Sequence, residues 1–412
     1  FRDQSYSADQ YSPVVQRIED VRVLRNHQFP EDAGPMAHAV RPESFVEIDN
    51  FYTSTVYNKG AEVIRMMHSV LGEEKFFKGT DTYFERYDGQ AVTTDDFRNT
   101  LIEASGVDLS LFERWYQQAG TPTLKAQGSY DANAEEYTLA FQQECAPTPE
   151  QPEKRPFPIP VVLGLLDESG DDLPLQLKGE TQSSEGSRTL MVEEPTKEFV
   201  FSGVKAQPTP SFLRGFSSPV NMNFEYTDKE LQHLLAYDSD LFNRWDASQK
   251  LCLKTILKLV GDYQQDKELK LESSFVDAFG RLLSQKDLDK AFLAEIFNIP
   301  SESFIGDHMA TIDVDAIHGV REFVLKTLAQ AHATEFKSVY HELKGREKGV
   351  LSPAAMGERA LKNICLAYLM QLEAPEVVDL CYLQFHECLT MTDEIAALGL
   401  LCSSDVDERQ KA

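Results

Sequence analysis

The stretch Asn50-Phe51-Tyr52-Thr53-Ser54-Thr55-Val56-Tyr57-Asn58-Lys59-Gly60 opens a helix whose apolar stripe (Val56, Gly60, Val63, Ile64, Met67, Val70, Leu71) stops near Gly72. Apolar residues at that spacing line one face of an α-helix. Tyr57 sets a phenol where a plain core residue would suffice, and that choice gives the helix a candidate chemical role.

On the N-terminal side, Ser12 reads as a cap with Pro13 at the first helical position. Val14, Val15, Ile18, Val21 and Leu24 follow at helical spacing. Pro30, Gly34, Pro35 and Pro42 predict a long loop from Asn26 to Pro42. On the C-terminal side, amphipathic runs around Phe76 to Tyr87 and Phe97 to Ile102 lead to Leu111-Phe112-Glu113-Arg114-Trp115-Tyr116. Residues 1–120 therefore read as helices joined by loops.

The texture changes beyond this point, since twelve of the nineteen prolines fall between Pro122 and Pro219 and oppose long helices. Period-two alternation replaces the helical period. Tyr137, Leu139 and Phe141 alternate with polar or small neighbours, Phe199 and Phe201 repeat the pattern, and Val220, Met222, Phe224 and Tyr226 close it. With turns such as Glu168-Ser169-Gly170, residues 121–226 predict a small β-sandwich. From Thr227 helix starts recur: a Ser274–Asp277 capping box, Ser352-Pro353, and acid loaded at Thr392-Asp393-Glu394. Residues 227–412 predict an α-helical hairpin array, and the fold class is multidomain α+β.

A chain of 412 residues accommodates two to four domains of about 150 residues each. The formal charge of −27, from 67 acidic against 40 basic residues, opposes phosphate backbones and anionic membranes, so nucleic acid is excluded as a partner. No run approaches the roughly 18 to 20 apolar residues that span a bilayer. Cys145, Cys252, Cys365, Cys381, Cys388 and Cys402 contain no Cys-x-x-Cys pair and read as reduced core thiols, which suits the cytoplasm. Nothing in the sequence demands more than a monomer.

Tyr57 is the sharpest chemical candidate. An ordinary tyrosine keeps its proton at neutral pH, so a fixed and partly dry hydroxyl can donate to an oxygen gaining negative charge. The competing reading is a tyrosine at a helix edge with its hydroxyl in water. Tyr52 lies five positions earlier, roughly 140° around a continuous helix, and can join Tyr57 only if the chain turns between them with Thr53, Ser54 or Thr55 as cap. His68 shares Tyr57's face about 16 Å along the axis and reads as a core histidine.

Metal ligands are not evident. His341-Glu342-Leu343-Lys344-Gly345 and His386-Glu387-Cys388-Leu389-Thr390 both lack the second histidine of a His-Glu-x-x-His helix, a motif found nowhere in the chain. Cys381, His386 and Cys388 sit among Leu380, Tyr382 and Phe385 and read as core packing, with a zinc cluster as the rival reading. Walker-type and dinucleotide glycine loops and the Gly-x-Ser-x-Gly elbow are absent, which leaves nucleotide use and serine hydrolysis unsupported.

Four stretches together resemble the M1 zinc aminopeptidases, most closely the bacterial aminopeptidase N branch. They are Gln28-Phe29-Pro30-Glu31-Asp32-Ala33-Gly34-Pro35-Met36-Ala37-His38, the Asn50 to Ala61 segment, Trp115-Tyr116-Gln117-Gln118-Ala119-Gly120-Thr121-Pro122, and Asp240-Leu241-Phe242-Asn243-Arg244-Trp245-Asp246-Ala247-Ser248-Gln249. The resemblance spans the chain. It implies the helical C-terminal part of a thermolysin-like catalytic domain, then the sandwich, then a helical array that stops early at Ala412. The zinc ligands and the Gly-x-Met-x-Asn exopeptidase motif would precede Phe1, so zinc is expected in the intact enzyme and none on this chain.

By the same resemblance Tyr57 matches the tyrosine that stabilises the tetrahedral intermediate, and Tyr52 matches an aromatic lining the substrate cleft. The implied reaction is hydrolysis of the N-terminal residue from peptide substrates, with this chain alone inactive. The alternative is a non-catalytic relative serving as a scaffold or peptide-binding protein.

Overall fold

Proline in a first helical turn and glycine after a last one mark the helices of the N-terminal segment. The structure, a computed structural model, describes residues 1–149, 151–346 and 350–410. Helix α1 spans Arg2–Gln10 and α2 spans Pro13–Val23. The chain does not become a loop at Asn26. It passes through a π-helical turn, Leu24–Gln28, into α3, Phe29–Ala33. That wide turn closes when the Phe29 amide donates to Leu24 O, five residues back. Pro30 then falls in the first turn of α3, where it has no intrahelical N–H bond to lose. The irregular segment begins only at Gly34.

A second π-helical turn, Thr55–Lys59, leads into α4, Gly60–Leu71, which Gly72 ends at φ +73°. α5 follows over Glu73–Tyr87, α6 over Thr94–Ser105 and α7 over Glu113–Gln117. The buried face of α4 presents Val63, Met66, Met67 and Leu71 to a core that also holds Leu101, Phe112 and Trp115. Trp115 packs against Phe157 with ring centroids 4.5 Å apart and planes tilted by 46°, and its indole donates to Pro158 O. One apolar core thus continues from the helices into the sandwich.

The sandwich strands are β1 Thr123–Asp131, β2 Glu136–Glu144, β3 Ile159–Leu166, β4 Arg188–Val192, β5 Thr196–Ser202, β6 Thr209–Phe212 and β7 Asn221–Asn223. They form a four-stranded sheet, β5-β2-β1-β7, and a three-stranded sheet, β4-β3-β6. Tyr137, Leu139 and Phe141 point inward as their alternation requires. The alternation through Tyr226 overstates the last strand. β7 pairs with β1 over only three residues, after which Phe224 and Tyr226 leave the ladder yet pack on Phe212 at centroid distances of 5.0 and 6.4 Å.

Helices α8 Asp228–Tyr237, α9 Leu241–Tyr263, α10 Ser273–Leu283, α11 Lys290–Phe297, α12 Glu302–Gly306, α13 Val314–Ala331, α14 Ala333–Leu343, α15 Pro353–Met370, α16 Pro375–Glu387 and α17 Met391–Cys402 follow. Ser352 caps α15 through Ala355 N as its sequence predicts. The Ser274–Asp277 capping box does not form: Glu272 takes the N-cap position, so Ser274 already lies inside α10. Ala412, where the array was expected to stop, lies outside the described residues. The chain divides into two compact units, Phe1–Ser5 with Arg17–Arg244, and Tyr6–Gln16 with Trp245–Ala412.

All six cysteines are free. Cys252, Cys365 and Cys381 are core thiols, whereas Cys145 and Cys388 are half-buried and Cys402, at the end of α17, is exposed. Among the described residues no helix is long and apolar enough to cross a membrane.

Candidate active site

Tyr52 and Tyr57 stand side by side, ring centroids 6.1 Å apart and planes 32° from parallel. They meet because the chain turns between them. A short 3₁₀ turn, Ile48–Phe51, is closed by Glu47 and Asn50, and Tyr52 leaves it with φ −86° and ψ 62°. Thr53 then caps the next helix, its Oγ1 accepting from Val56 N at 3.2 Å while its carbonyl accepts from Tyr57 N at 3.1 Å. The chain thus turns between the two tyrosines, with Thr53 as the cap. Both rings are largely exposed in this chain, Tyr52 at 61 % and Tyr57 at 59 %.

Beneath the pair the turn is fixed from inside. Thr55 and Lys59, two positions either side of Tyr57, are 0 % and 1 % exposed. Glu31 Oε1 accepts from the Thr55 amide at 2.8 Å and from its hydroxyl at 2.5 Å, and Gln28 Nε2 donates to the same hydroxyl at 3.2 Å. Lys59 Nζ donates to Asp32 Oδ2 at 2.6 Å and to Gly120 O at 2.9 Å. Asp32 also accepts from Gly120 N at 2.8 Å and from Thr121 Oγ1 at 3.0 Å. Burial alone would push the Asp32 carboxyl up, but the Lys59 ammonium and the surrounding donors outweigh it and hold the group below its ordinary range.

Gly120 takes part through its backbone at φ +92°, and a Cβ there would come within 2.9 Å of Cys145 Sγ. Three separated stretches, around Glu31, Lys59 and Gly120, thus converge on one turn. A second buried centre secures α4 itself. Arg17 grips Glu62 through bonds of 2.7 and 2.5 Å, and also donates to Gly215 O and Phe216 O. Burial raises the Glu62 carboxyl, yet Arg17 and Arg65 more than reverse this and keep it lowered.

His68 lies apart from the tyrosines, half-buried among the rings of Phe1, Phe76 and Phe77. Burial and the Arg65 charge lower its pKa, which suits a packed neutral imidazole. The Cys381 thiol donates to Ala397 O, and His386 packs edge-on to Tyr382. Among the described residues no group of three His, Cys, Asp or Glu side chains is arranged to hold a metal ion.

Glu31, Asp32, Thr55 and Lys59 had no assigned role in the sequence. A signal existed: Lys59 and Glu62 sit on the buried side of the helix that carries Val63 and Met66, and charges there need buried partners. The identity of those partners was not readable, because they lie 27 to 61 residues away.

Comparison with known proteins adds to this geometry. Residues 4–115 match the peptidase family M1 domain, residues 120–225 a domain of unknown function with an Ig-like fold, and residues 228–412 a domain of unknown function with ARM repeats. Aminopeptidase N of Escherichia coli is 43 % identical over 400 residues, covering 97 % of this chain and 45 % of the relative. Aminopeptidase N of Caulobacter vibrioides is 38 % identical over 412 residues, covering 100 % of this chain and 46 % of the relative. A crystal structure of Legionella pneumophila aminopeptidase A in complex with aspartic acid matches with a TM-score of 0.78 and 27 % identity, over 95 % of this chain and 46 % of that one. The chain spans about half the length of the curated relatives it matches.

Proposed function

The chain belongs with the M1 peptidases, and from that premise we propose that it supplies the intermediate-stabilising wall of a metalloaminopeptidase that removes N-terminal residues from peptides. In this reading Tyr57 donates its phenolic proton in a hydrogen bond to the carbonyl oxygen of the scissile bond as that oxygen gains negative charge. Tyr52 lines the cleft beside it and contacts the substrate with its ring. The observation that carries the reading is the Tyr52–Tyr57 pair on a turn whose buried residues are tied at both ends. π-helical turns of this kind recur at functional sites.

Zinc is the metal that the family's chemistry implies, where it polarises the carbonyl and activates water. The described residues do not fit it, since they offer no set of three ligands. This chain by itself is therefore expected to be inactive. The domain boundaries proposed are 1–120, 121–226 and 227–412, a division supported by the three matched segments. A cytoplasmic setting is supported by six cysteines that remain thiols.

A second reading draws on the 59 % exposure of Tyr57: a phenol open to water suits a peptide-binding surface better than an oxyanion site, which works by excluding water. The assay that decides between them uses the complete gene product with aminoacyl chromogenic substrates, with and without a chelator. The enzyme reading expects chelator-sensitive turnover, and Tyr57→Phe lowering kcat by about 10² to 10³ with little change in stability. Wild-type turnover by that variant would remove Tyr57 from the mechanism, and absence of turnover in the unmutated protein would favour the binding surface.

A further inference from the structure

Glu31 and Asp32 are consecutive acids on α3, and they hold the two inward residues that flank Tyr57. Glu31 binds the amide and hydroxyl of Thr55 before the tyrosine, and Asp32 binds the ammonium of Lys59 after it. A π-helical turn has a wider, less regular hydrogen-bond ladder than an α-helix, so its own backbone is a weak constraint on where an exposed side chain points. On the outer side the ring of Tyr52 lies beside Tyr57, which is 59 % exposed.

From this arrangement we infer that Glu31 and Asp32 form a two-point clamp that fixes the direction of the Tyr57 phenol, making Glu31, Thr55, Asp32 and Lys59 positioning residues for the reaction. The inference rests on the proposed role of Tyr57 as hydrogen-bond donor. The two arms differ in kind. The Lys59–Asp32 arm is a buried ion pair that also ties Gly120 and Thr121, so breaking it threatens the fold. The Glu31–Thr55 arm is only partly buried and ends on a hydroxyl and an amide, so it can be altered with the ion pair left intact.

The test therefore works on the second arm, in the complete gene product. Thr55→Val removes the hydroxyl with little change of shape, Glu31→Ala removes the acceptor, and Glu31→Gln keeps an acceptor oxygen without the charge. Each is made alone and in the Tyr57→Phe background, and kcat and KM are measured separately. The expected result is a fall in kcat of about 10-fold for Thr55→Val and Glu31→Ala, the scale of a misdirected reacting group, with KM within about twofold. Glu31→Gln recovers most of the loss. In the Tyr57→Phe background the same substitutions have no further effect on kcat, because the clamp acts through a hydroxyl that is no longer there.

An equal fall in both backgrounds overturns the clamp and leaves Tyr57 in its role, since the loss would then be a general structural one. Unchanged kcat in the single variants overturns it as well. Unchanged kcat in Tyr57→Phe overturns the underlying reading and the clamp with it. Tryptophan fluorescence melts separate loss of fold from loss of direction: the expected Tm of Glu31→Gln equals that of the unmutated protein.

Discussion

Two buried Lys–Asp pairs can be set side by side, one in each compact unit. Lys59 reaches Asp32 at 2.6 Å, and Lys362 reaches Asp393 at 2.8 Å, with all four side chains at most 5 % exposed. The second pair fastens helices of the array to one another, with Gln384 of α16 bonded to both Asn363 and Asp393 O. Asp393 is the third residue of α17, its amide is capped by Thr390, and its other oxygen accepts from Asn363, next to Lys362 on α15. The first pair gathers α3, the Tyr57 turn and the Gly120 segment, and the turn it holds carries the exposed ring of Tyr57 beside that of Tyr52. A buried charge pair alone marks packing; what distinguishes a candidate site is that the groups it immobilises include side chains left facing outward.

The largest expected effect tests that distinction. Lys59→Met and Lys362→Met each leave an aspartate buried without its cation, and each should destabilise its own unit by about 3 to 5 kcal/mol. The two tryptophans report separately, Trp115 in the first unit and Trp245 in the second, so denaturant unfolding in Trp245→Phe and Trp115→Phe backgrounds reads one pair at a time. Activity of the complete gene product, measured where both variants remain folded, should fall for Lys59→Met and hold for Lys362→Met. An equal loss in both would mean that the pair beneath Tyr57 is no more connected to chemistry than its counterpart.

The pH dependence of the first unit sharpens the contrast. The Asp32 and Glu62 carboxyls both lie below their ordinary values of 3.8 and 4.5, because cationic partners outweigh burial. A carboxylate whose folded pKa is lowered contributes stability above its unfolded pKa and loses that contribution as pH falls through the folded value. The contribution of these two carboxylates should therefore be complete at pH 6 and be lost progressively below about pH 4.5 as both take up protons, while Asp238, which burial pushes up to about 6, works in the opposite sense. Asp32→Asn, followed by Trp115 fluorescence, should be less stable at pH 6 and show a shallower decline toward pH 2. A decline as steep as that of the unmutated protein would exclude Asp32 as a source of the acid sensitivity.

What the sequence disclosed follows the range of the interactions concerned. The stripe from Val63 to Leu71 announced α4, and alternation through Tyr137, Leu139 and Phe141 announced β2, since both patterns are local consequences of period. Pro30 misled because a proline in a first helical turn neither removes an internal bond nor meets the carbonyl of a preceding turn, and the π-helical turn before it places Pro30 there. Ser274 misled by two positions, as helix starts often do when several polar residues compete for the cap. Tyr52 and Tyr57 were legible as individuals but not as neighbours, for their meeting depends on Thr53 turning the chain. The clamp was out of reach altogether: Glu31 finds Thr55 across 24 residues and Asp32 finds Gly120 across 88, and no spacing rule encodes such pairings.

The smallest effect expected concerns Tyr52, and it asks whether the outward rings of the first unit differ from any exposed apolar side chain of the second. Tyr52→Leu keeps a bulky apolar group but removes the ring that lies 6.1 Å from Tyr57. Aromatic contacts are worth about 0.5 to 1.5 kcal/mol beyond their area, which converts to a rise in KM of roughly 2- to 10-fold for a peptide substrate resting on that ring. At 61 % exposure the substitution should leave stability unchanged within about 0.5 kcal/mol. Leu389→Ala, at a position 72 % exposed beside the α17 cap, is the matched control and should alter neither KM nor kcat. If Tyr52→Leu instead lowers kcat at constant KM, the ring serves the transition state together with Tyr57, and the division of labour between a binding ring and a donating ring gives way to a shared role.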